Sequence, residues 1–397
     1  MLPSYLIFLL SCLVPRRRDL WLFGAWMGRR YSDNPKYIFR HVREHVPDVE
    51  ALWIVKDRSL HAELRDAGVP VARALSPRGV WSQLRAGLVV FTHSVPDEYH
   101  SPLIAPWALR VQTWHGMPIK KIGYDDNTQQ RSRASVLVRS LLFPCDLDRC
   151  DLVIAGGEDD AEKYRSAFNV RPADVRITGY PRNDELLRCA TPPAAGREPR
   201  RAIYMPTLRG APGSEFELLR TSGFDFGRAD EALQSAGWHL SVKLHPVQAL
   251  SPEDRRSLDR AEHMDALPSE MDLYSRVGTF DALITDFSGV YFDFLITGKP
   301  IVMAPFEIER YLERDRELYY EYEDICPDAP CRTWDEVFAR LTELRYAEGP
   351  PSARYTSLQR RFHRYLDASS SARVVAEIQG LRFPTRTGSA PARQTGS

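Results

Sequence analysis

Short apolar runs with the length of buried β-strands alternate with helix-like segments along most of this chain, and this alternation limits the fold more than any other feature. In the first half the strand-like runs lie at 48–55, 69–72, 87–92, 110–114, 152–155 and 175–178, with helix-like segments at 59–67, 80–85 and 158–167. In the second half the strand pattern returns at 202–205, 239–244, 282–285 and 301–304. This order is typical of βαβ units and predicts parallel sheets covered by helices.

A proline-rich stretch separates the two series of strands. Residues 191–200 contain three prolines and one glycine, a composition typical of a linker. We therefore predict an N-terminal α/β domain over 19–190 and a C-terminal α/β domain over 201–380. The second domain would end in amphipathic helices at 334–345 and 357–378. The polar tail at 384–397 is predicted to be disordered.

The N-terminal segment, residues 1–18, combines an apolar run with a basic cluster. Its first 14 residues are almost wholly apolar, and Pro15 and three arginines follow. A helix of this length spans about 21 Å, less than the roughly 30 Å hydrocarbon core of a bilayer. The charges follow the apolar run, whereas in a signal peptide they precede it. Two interpretations remain: a helix lying in the membrane interface with its arginines at anionic head groups, or a buried helix. We predict the first, a peripheral membrane contact.

Charge and cysteine content exclude two classes of function. Lys and Arg together number 53, as do Asp and Glu, so the net charge is zero and diffuse binding to nucleic acid is not expected. The six cysteines form no CxxC pair and none has a histidine at zinc spacing, so we expect no structural metal. Unpaired thiols are typical of a reduced, intracellular chain.

Two candidate histidines follow predicted strands, where ligands bind in parallel α/β sheets. His115 follows the strand at 110–114, and its imidazole can accept a proton from an attacking hydroxyl group. Lys243 and His245 share one face at the end of another strand and suit a phosphate. The alternatives are a histidine hydrogen-bonded within a turn and a partly exposed strand end.

A third candidate segment follows the strand at 282–285. Ser288 can cap a helix ended by Gly298, and the N–H groups at such a helix start, Gly289 included, form an anion site. Asp286 would oppose a phosphate by its charge, so we expect it to orient loop groups or a hydroxyl. Ordinary helix capping is the alternative.

Two arginines complete the candidate set. Arg182 and Arg209 each follow a strand and a proline, and either guanidinium could hold a phosphate in a bidentate contact. The alternative for each is an ion pair with a nearby carboxylate.

Taken in order, these segments resemble the CDP-glycerol glycerophosphotransferase family, the teichoic-acid primases and polymerases, over roughly residues 20–370. The matching motifs are Gln112–Gly116, Gly179–Asp184, Pro206–Arg209, Lys243–Pro246 and Thr285–Phe294, with Trp26, Asp33–Lys36, Gly298–Pro300 and Tyr319–Glu323. The chain departs from the family pattern at three positions: Leu208 replaces an aromatic residue, Gly289 a serine and Glu317 a glycine.

The resemblance implies a GT-B fold, in which two Rossmann-like domains face each other across a cleft. It also implies transfer of glycerol phosphate from CDP-glycerol to a hydroxyl of a lipid-linked or polymeric acceptor, with release of CMP, at the cytoplasmic face of the membrane. His115 would be the general base and His245 would lie at the donor phosphates. The amides after Ser288 would bind the pyrophosphate, with Arg182 and Arg209 as further phosphate contacts. Neither a metal nor another cofactor is expected.

Three alternatives stay open after the resemblance. The donor could be another CDP-alcohol such as CDP-ribitol. A GT-B glycosyltransferase or epimerase would instead use a UDP- or GDP-sugar. A non-catalytic module would bind nucleotide without turnover. Acceptor identity, oligomeric state and the choice between primase and polymerase are not decided by the sequence.

Overall fold

Two parallel β-sheets form the framework of the computed structural model, which describes residues 2–126, 149–190, 199–209, 215–216, 218–245, 247–268, 271–309, 317–346 and 350–381. The first sheet has seven strands in the order β3-β2-β1-β4-β5-β6-β7. Its strands are β1 (Arg17–Phe23), β2 (Glu50–Val55), β3 (Val71–Arg73), β4 (Ala86–Phe91), β5 (Leu109–Gln112), β6 (Leu152–Ala155) and β7 (Val175–Ile177).

The second sheet has five strands in the order β12-β10-β8-β13-β14. The strands of the second half are β8 (Arg200–Met205), β9 (Glu215–Phe216), β10 (Trp238–Val242), β11 (Ala249–Leu250), β12 (Met264–Ala266), β13 (Ala282–Thr285) and β14 (Ile301–Met303), of which β9 and β11 pair separately. Neighbouring strands within both sheets run parallel. The predicted α/β class, with two Rossmann-like halves, is confirmed.

Helices cover both faces of the two sheets. They are α1 (Leu2–Ser11), α2 (Asp33–His45), α3 (Arg58–Asp66), α4 (Pro77–Arg85), α5 (Val95–Glu98), α6 (Glu158–Ala167), α7 (Pro181–Cys189), α8 (Leu218–Thr221), α9 (Phe226–Ala236), α10 (Pro252–Arg260), α11 (Val290–Leu295), α12 (Trp334–Tyr346), α13 (Ala353–Phe362) and α14 (Ser370–Gly380). Every residue of β4 is buried, as expected for a strand covered on both faces. One apolar cluster contains residues of both sheets, so the two halves share a core.

Strand β1 was not predicted, and the predicted end of the N-terminal segment at residue 18 falls inside it. The strand lies between β2 and β4, and Leu22 and Phe23 are completely buried. Arg17, expected to be available to lipid head groups, pairs with Asp19 and Glu50. The strand was not recognised because only its second half is apolar. Its first residues are charged and follow a proline, so the start did not have the pattern of a buried strand.

The C-terminal helices also differ from the prediction. The expected helix at 357–378 is two helices, α13 and α14, and α14 packs against α2 and α7 of the first half. The Asp184 carboxylate holds the start of α14 by accepting hydrogen bonds from the amides of Ser370 and Ser371, at 2.8 and 2.7 Å. The last helix of the predicted C-terminal domain therefore packs on the N-terminal domain. Most of the predicted linker (191–198) and the whole predicted tail lie outside the described residues.

Candidate active site

A cavity of about 880 Å³ lies between the two sheets, at the carboxyl ends of their strands. The first half contributes the segments after β1, β2, β5 and β7, and the second half those after β8, β10, β12 and β13. Its volume falls within the range of small-molecule sites. Of the predicted residues, His115, Arg182, Lys243, His245, Ser288 and Gly289 line the cavity.

The two predicted histidines face this cavity from opposite halves of the molecule. The indole of Trp26 lies against both of them, with its centroid 5.7 Å from the His115 ring and 6.0 Å from the His245 ring. The structure therefore brings the two imidazoles to one cleft. Trp26 was recognised only as part of a motif, and its contact with both rings is visible only in the structure.

The turn that carries His115 has an unusual backbone. Trp114 has a φ of +48°, and Gly116 has a φ of +117°. A Cβ atom at Gly116 would lie 2.0 Å from Nη2 of Arg182, so a glycine is required there. The Asn34 side-chain amide donates to the carbonyls of Thr113 and Trp114 at 3.2 and 3.3 Å. Strained backbone of this kind persists where the surrounding contacts enforce it.

Arg182 holds the same turn through its backbone. Its Nη1 donates to the His115 carbonyl at 2.6 Å and to Asp33 at 3.0 Å. Its Nε and Nη2 donate to the two oxygens of Asp293 at 3.3 and 2.6 Å. The side chain is only 3% exposed, and most of its donors are engaged. The structure does not support the predicted phosphate contact: Arg182 forms the ion pair that was its alternative and positions the His115 turn.

Burial keeps the two cleft histidines neutral. Burial, followed by the positive charges of His93 and Arg182, lowers the pKa of His115 well below its usual range. Burial and the neighbouring Lys243 lower the pKa of His245 to about 4. At neutral pH, His115 can therefore accept a proton, and His245 can donate a hydrogen bond without carrying a charge.

The second half supplies a cation and backbone amides beside His245. The Lys243 side chain is buried at the cavity wall, where its Nζ donates to the Leu244 carbonyl at 3.0 Å. Ser288 and Gly289 lie at the start of α11. The predicted cap is wrong: the N-cap of this helix is Gly289 and not Ser288, no side chain caps it, and the helix has only six residues, Val290–Leu295.

Asp286 and Arg209 lie outside the cavity lining and hold the loop beneath it. The buried Asp286 carboxylate accepts from the amide and hydroxyl of Thr207, at 2.8 and 2.6 Å, and from Arg209 at 2.6 Å. These contacts agree with an orienting role for Asp286 in its loop, which stays a prediction. Arg209 forms the ion pair that was its alternative, and its predicted phosphate contact has no support in this geometry.

His93 was missed, although it follows β4 just as His115 follows β5. Its ring stacks on His115 with centroids 4.7 Å apart and an angle of 20° between the planes. The strand-end rule that selected His115 could have found it, since the predicted strand at 87–92 ends immediately before it.

Within the part of the chain that the structure describes, no group of three or more His, Cys, Asp or Glu side chains is arranged to hold a metal ion. Metal-independent chemistry stays a prediction.

Comparison with known proteins identifies the family. The family model for CDP-glycerol:poly(glycerophosphate) glycerophosphotransferase matches residues 6–380. The teichoic acid glycerol-phosphate transferase of Staphylococcus aureus is 26% identical over 391 residues, which cover 94% of this chain and 96% of that protein. The teichoic acid poly(glycerol phosphate) polymerase of Bacillus spizizenii is 24% identical over 387 residues, with 94% and 95% covered.

Solved structures agree on the fold. A structure of the wall teichoic acid polymerase TagF matches with a TM-score of 0.72 at 20% identity, covering 95% of this chain and 93% of that one. The S. aureus MnaA–UDP structure matches with a TM-score of 0.52 at 10% identity, covering 91% and 96%. At these identities the likeness concerns the fold alone, the predicted GT-B arrangement. Because the family model spans nearly the whole described structure, this chain belongs to the CDP-glycerol:poly(glycerophosphate) glycerophosphotransferase family.

Proposed function

We propose that this protein transfers glycerol phosphate from CDP-glycerol to a hydroxyl group of a lipid-linked or polymeric teichoic-acid acceptor. The acceptor oxygen forms a new bond to the glycerol-bearing phosphorus, and the bond from that phosphorus to the bridging oxygen breaks. CMP leaves with the electron pair of that bond, and the acceptor proton passes to a base. The neutral His115 at the wall of a cavity shared by both halves carries this proposal.

The first half supplies the base in this scheme. Phosphoryl transfer needs an aligned hydroxyl and a group to take its proton, with little covalent chemistry from the protein. The low pKa of His115 leaves the ring unprotonated at neutral pH. The Arg182 contact to the His115 carbonyl holds the turn in place, so that the His115 residue stays at the cavity wall where the acceptor hydroxyl would bind.

The second half holds the donor. Lys243, His245 and the amides at the start of α11 lie together on that side of the cavity. A diphosphate offers oxygens to all three kinds of donor at once. Since His245 is uncharged at neutral pH, Lys243 supplies the positive charge on this side, and His245 adds a directed hydrogen bond.

A donor panel tests the proposed function. We expect the purified chain to release CMP from CDP-glycerol in the presence of a lipid-linked acceptor and not without it. CDP-ribitol, UDP-N-acetylglucosamine and a GDP-sugar are the comparison donors. CDP-ribitol is included because the teichoic acid ribitol-phosphate primase of B. spizizenii is 24% identical to this chain. A preference for CDP-ribitol would change the proposed donor. Turnover of a sugar nucleotide alone, or binding without turnover, would overturn the proposal.

We further propose that α1 attaches the protein to the membrane surface at its cytoplasmic face. Among the described helices, none is long and apolar enough to span a membrane. The outward face of α1 is nevertheless apolar, with Leu6 58% exposed and Leu9 and Leu10 about half exposed. Beyond the helix, Leu13 is 70% exposed. Exposed leucines beside a basic segment are typical of interfacial helices.

Substituting the outward leucines of α1 tests the attachment. We expect Leu6→Glu with Leu10→Glu to weaken binding to anionic vesicles at least about tenfold, since each inserted leucine contributes about 1.5 kcal/mol or more. Co-sedimentation measures the effect. The control is Leu366→Glu, which changes a leucine of similar exposure outside α1. Deleting 1–18 is less clean because it removes part of β1. Equal binding by all variants would contradict the proposal.

A further inference from the structure

His93 lies directly behind the proposed base and has no part in the scheme above. It follows β4, and its carbonyl accepts a hydrogen bond of 2.8 Å from the Gln112 side chain. The oxygen of the same Gln112 amide accepts from the Trp114 amide at 2.9 Å. One glutamine therefore ties the backbone beside His93 to the turn that carries His115.

The ring of His115 is oriented by stacking. Its Nδ1 is buried, and no described residue offers that atom a hydrogen-bond partner. The ring instead packs between aromatic faces, with Trp114 at 4.1 Å, His93 at 4.7 Å and Trp26 at 5.7 Å between centroids. Many histidine bases are oriented by a carboxylate that accepts a hydrogen bond from the imidazole ring. Here the carboxylate contacts His93, the ring that stacks on His115, and not His115 itself.

That carboxylate belongs to Glu98, which is completely buried at the end of α5. It accepts from the Thr92 hydroxyl at 2.7 Å and from the His93 amide at 3.1 Å, and it lies 3.3 Å from Nδ1 of His93. The Thr92 oxygen lies 2.8 Å from the same Nδ1. Because the Thr92 hydroxyl donates to Glu98, its oxygen accepts from His93, which fixes a proton on Nδ1 of that ring.

We propose that His93, held by Glu98, is a positioning residue for His115: it fixes the plane of the His115 ring and, when it is protonated, places a positive charge against the face of that ring on which it stacks. This inference rests on the proposed role of His115 as the base. Burial disfavours the charged form of His93, but the hydrogen bond and charge of Glu98 prevail and raise its pKa.

A bound diphosphate explains why such a charge is useful. Two negative phosphates beside an imidazole raise its pKa, and a protonated His115 could no longer act as a base. Positive charge on the opposite face offsets this effect. The groups that face His115 are His93, Arg182 and His245, and those that face His93 are Glu98, Asp33 and Asp97. Of the three groups around His115, His245 is neutral at neutral pH, so the offset comes from Arg182 and from the protonated form of His93.

The test compares His93→Asn with His93→Phe. Both remove the charge, and only phenylalanine keeps an aromatic platform. We expect the acid limb of the kcat/KM profile for CMP release to move up by about one pH unit in both, because a nearby positive charge no longer opposes protonation of His115. We expect kcat at high pH to fall several-fold in His93→Asn and to be largely retained in His93→Phe. A residue that only supports the fold would lower activity at every pH without moving the limb.

A second measurement does not depend on activity. Histidine-labelled protein followed by NMR, with His115 assigned from His115→Asn, should show the His115 titration moving up in both His93 variants and in Glu98→Gln. The control is His45→Asn, since His45 stacks on His41 at 4.3 Å outside the cleft. An unchanged His115 titration in both His93 variants would overturn the inference. If the His115 titration shifts in the His93 variants but the protein does not turn over CDP-glycerol, the proposed function is refuted. The effect of His93 on the His115 ring would still hold.

Discussion

Replacing His115 with alanine should lower kcat for CMP release from CDP-glycerol by about 10²–10⁴-fold, the usual contribution of a positioned general base. The acceptor hydroxyl would lose its proton acceptor, while the donor side of the cavity stays intact. We therefore expect the affinity for CDP-glycerol, measured by calorimetry, to change less than threefold.

His245→Ala is the contrasting variant, because this ring lines the cavity from the second half, beside Lys243, where the donor is proposed to bind. It should weaken CDP-glycerol binding about tenfold, as expected for loss of a hydrogen bond to a charged group. Circular dichroism and the thermal midpoint would show whether each variant is folded. A folded His115→Ala protein with full activity would remove His115 from the reaction.

Replacing Arg182 with methionine should cost about 3–5 kcal/mol in the free energy of unfolding, because two carboxylates would be left buried without their partner. Asp33 and Asp293 are 4% and 1% exposed, so water cannot replace the guanidinium. The cost should appear as a lower urea midpoint. Activity should fall as well, since the His115 carbonyl would lose its donor.

The matched control is Arg228→Met. Arg228 pairs with Asp335 at 3.1 Å, but these side chains are 71% and 74% exposed. An exposed pair contributes no more than about 1 kcal/mol, so this variant should unfold almost like the parent. If Arg182→Met were no less stable than Arg228→Met, the buried contacts of Arg182 with Asp33 and Asp293 would not contribute the stability assigned to them. Adding Asp293→Asn to Arg182→Met should recover part of the loss, since one unpaired charge is removed.

Most of the sheet framework could be predicted because buried parallel strands are short, continuous apolar runs. The interior strand β1 escaped because its first residues are basic and its apolar half looked like a continuation of the N-terminal run. Strand β12 escaped because its sequence is Met-Asp-Ala, with a charged residue at the centre and only Met264 buried, so it is not an apolar run. The length of α11 was overestimated. Gly298 and Pro300 are plausible signals for the end of a helix, but the helix ends at Leu295.

The candidate histidines could be selected from sequence because parallel strands bring their carboxyl ends to one edge, and the residue after a strand is therefore placed at that edge. The arginines could not be assigned in the same way. Arg182 and Arg209 also follow strands, but whether a guanidinium is available to a ligand depends on what else it meets. For Arg182 the partners are Asp33 and Asp293, which are 149 and 111 residues away along the chain.

The amino-acid order by itself determined the alternation of strands and helices, the glycine after His115 and the positions of two imidazoles at strand ends. These are local properties, since each depends on neighbouring residues and on the backbone they allow. Only the tertiary structure decided that both imidazoles contact Trp26, that Arg182 is buried in ion pairs with two carboxylates, and that His93 stacks on the proposed base. Stacking, ion pairing and desolvation act through space between residues remote in sequence, so they arise only when the chain has folded.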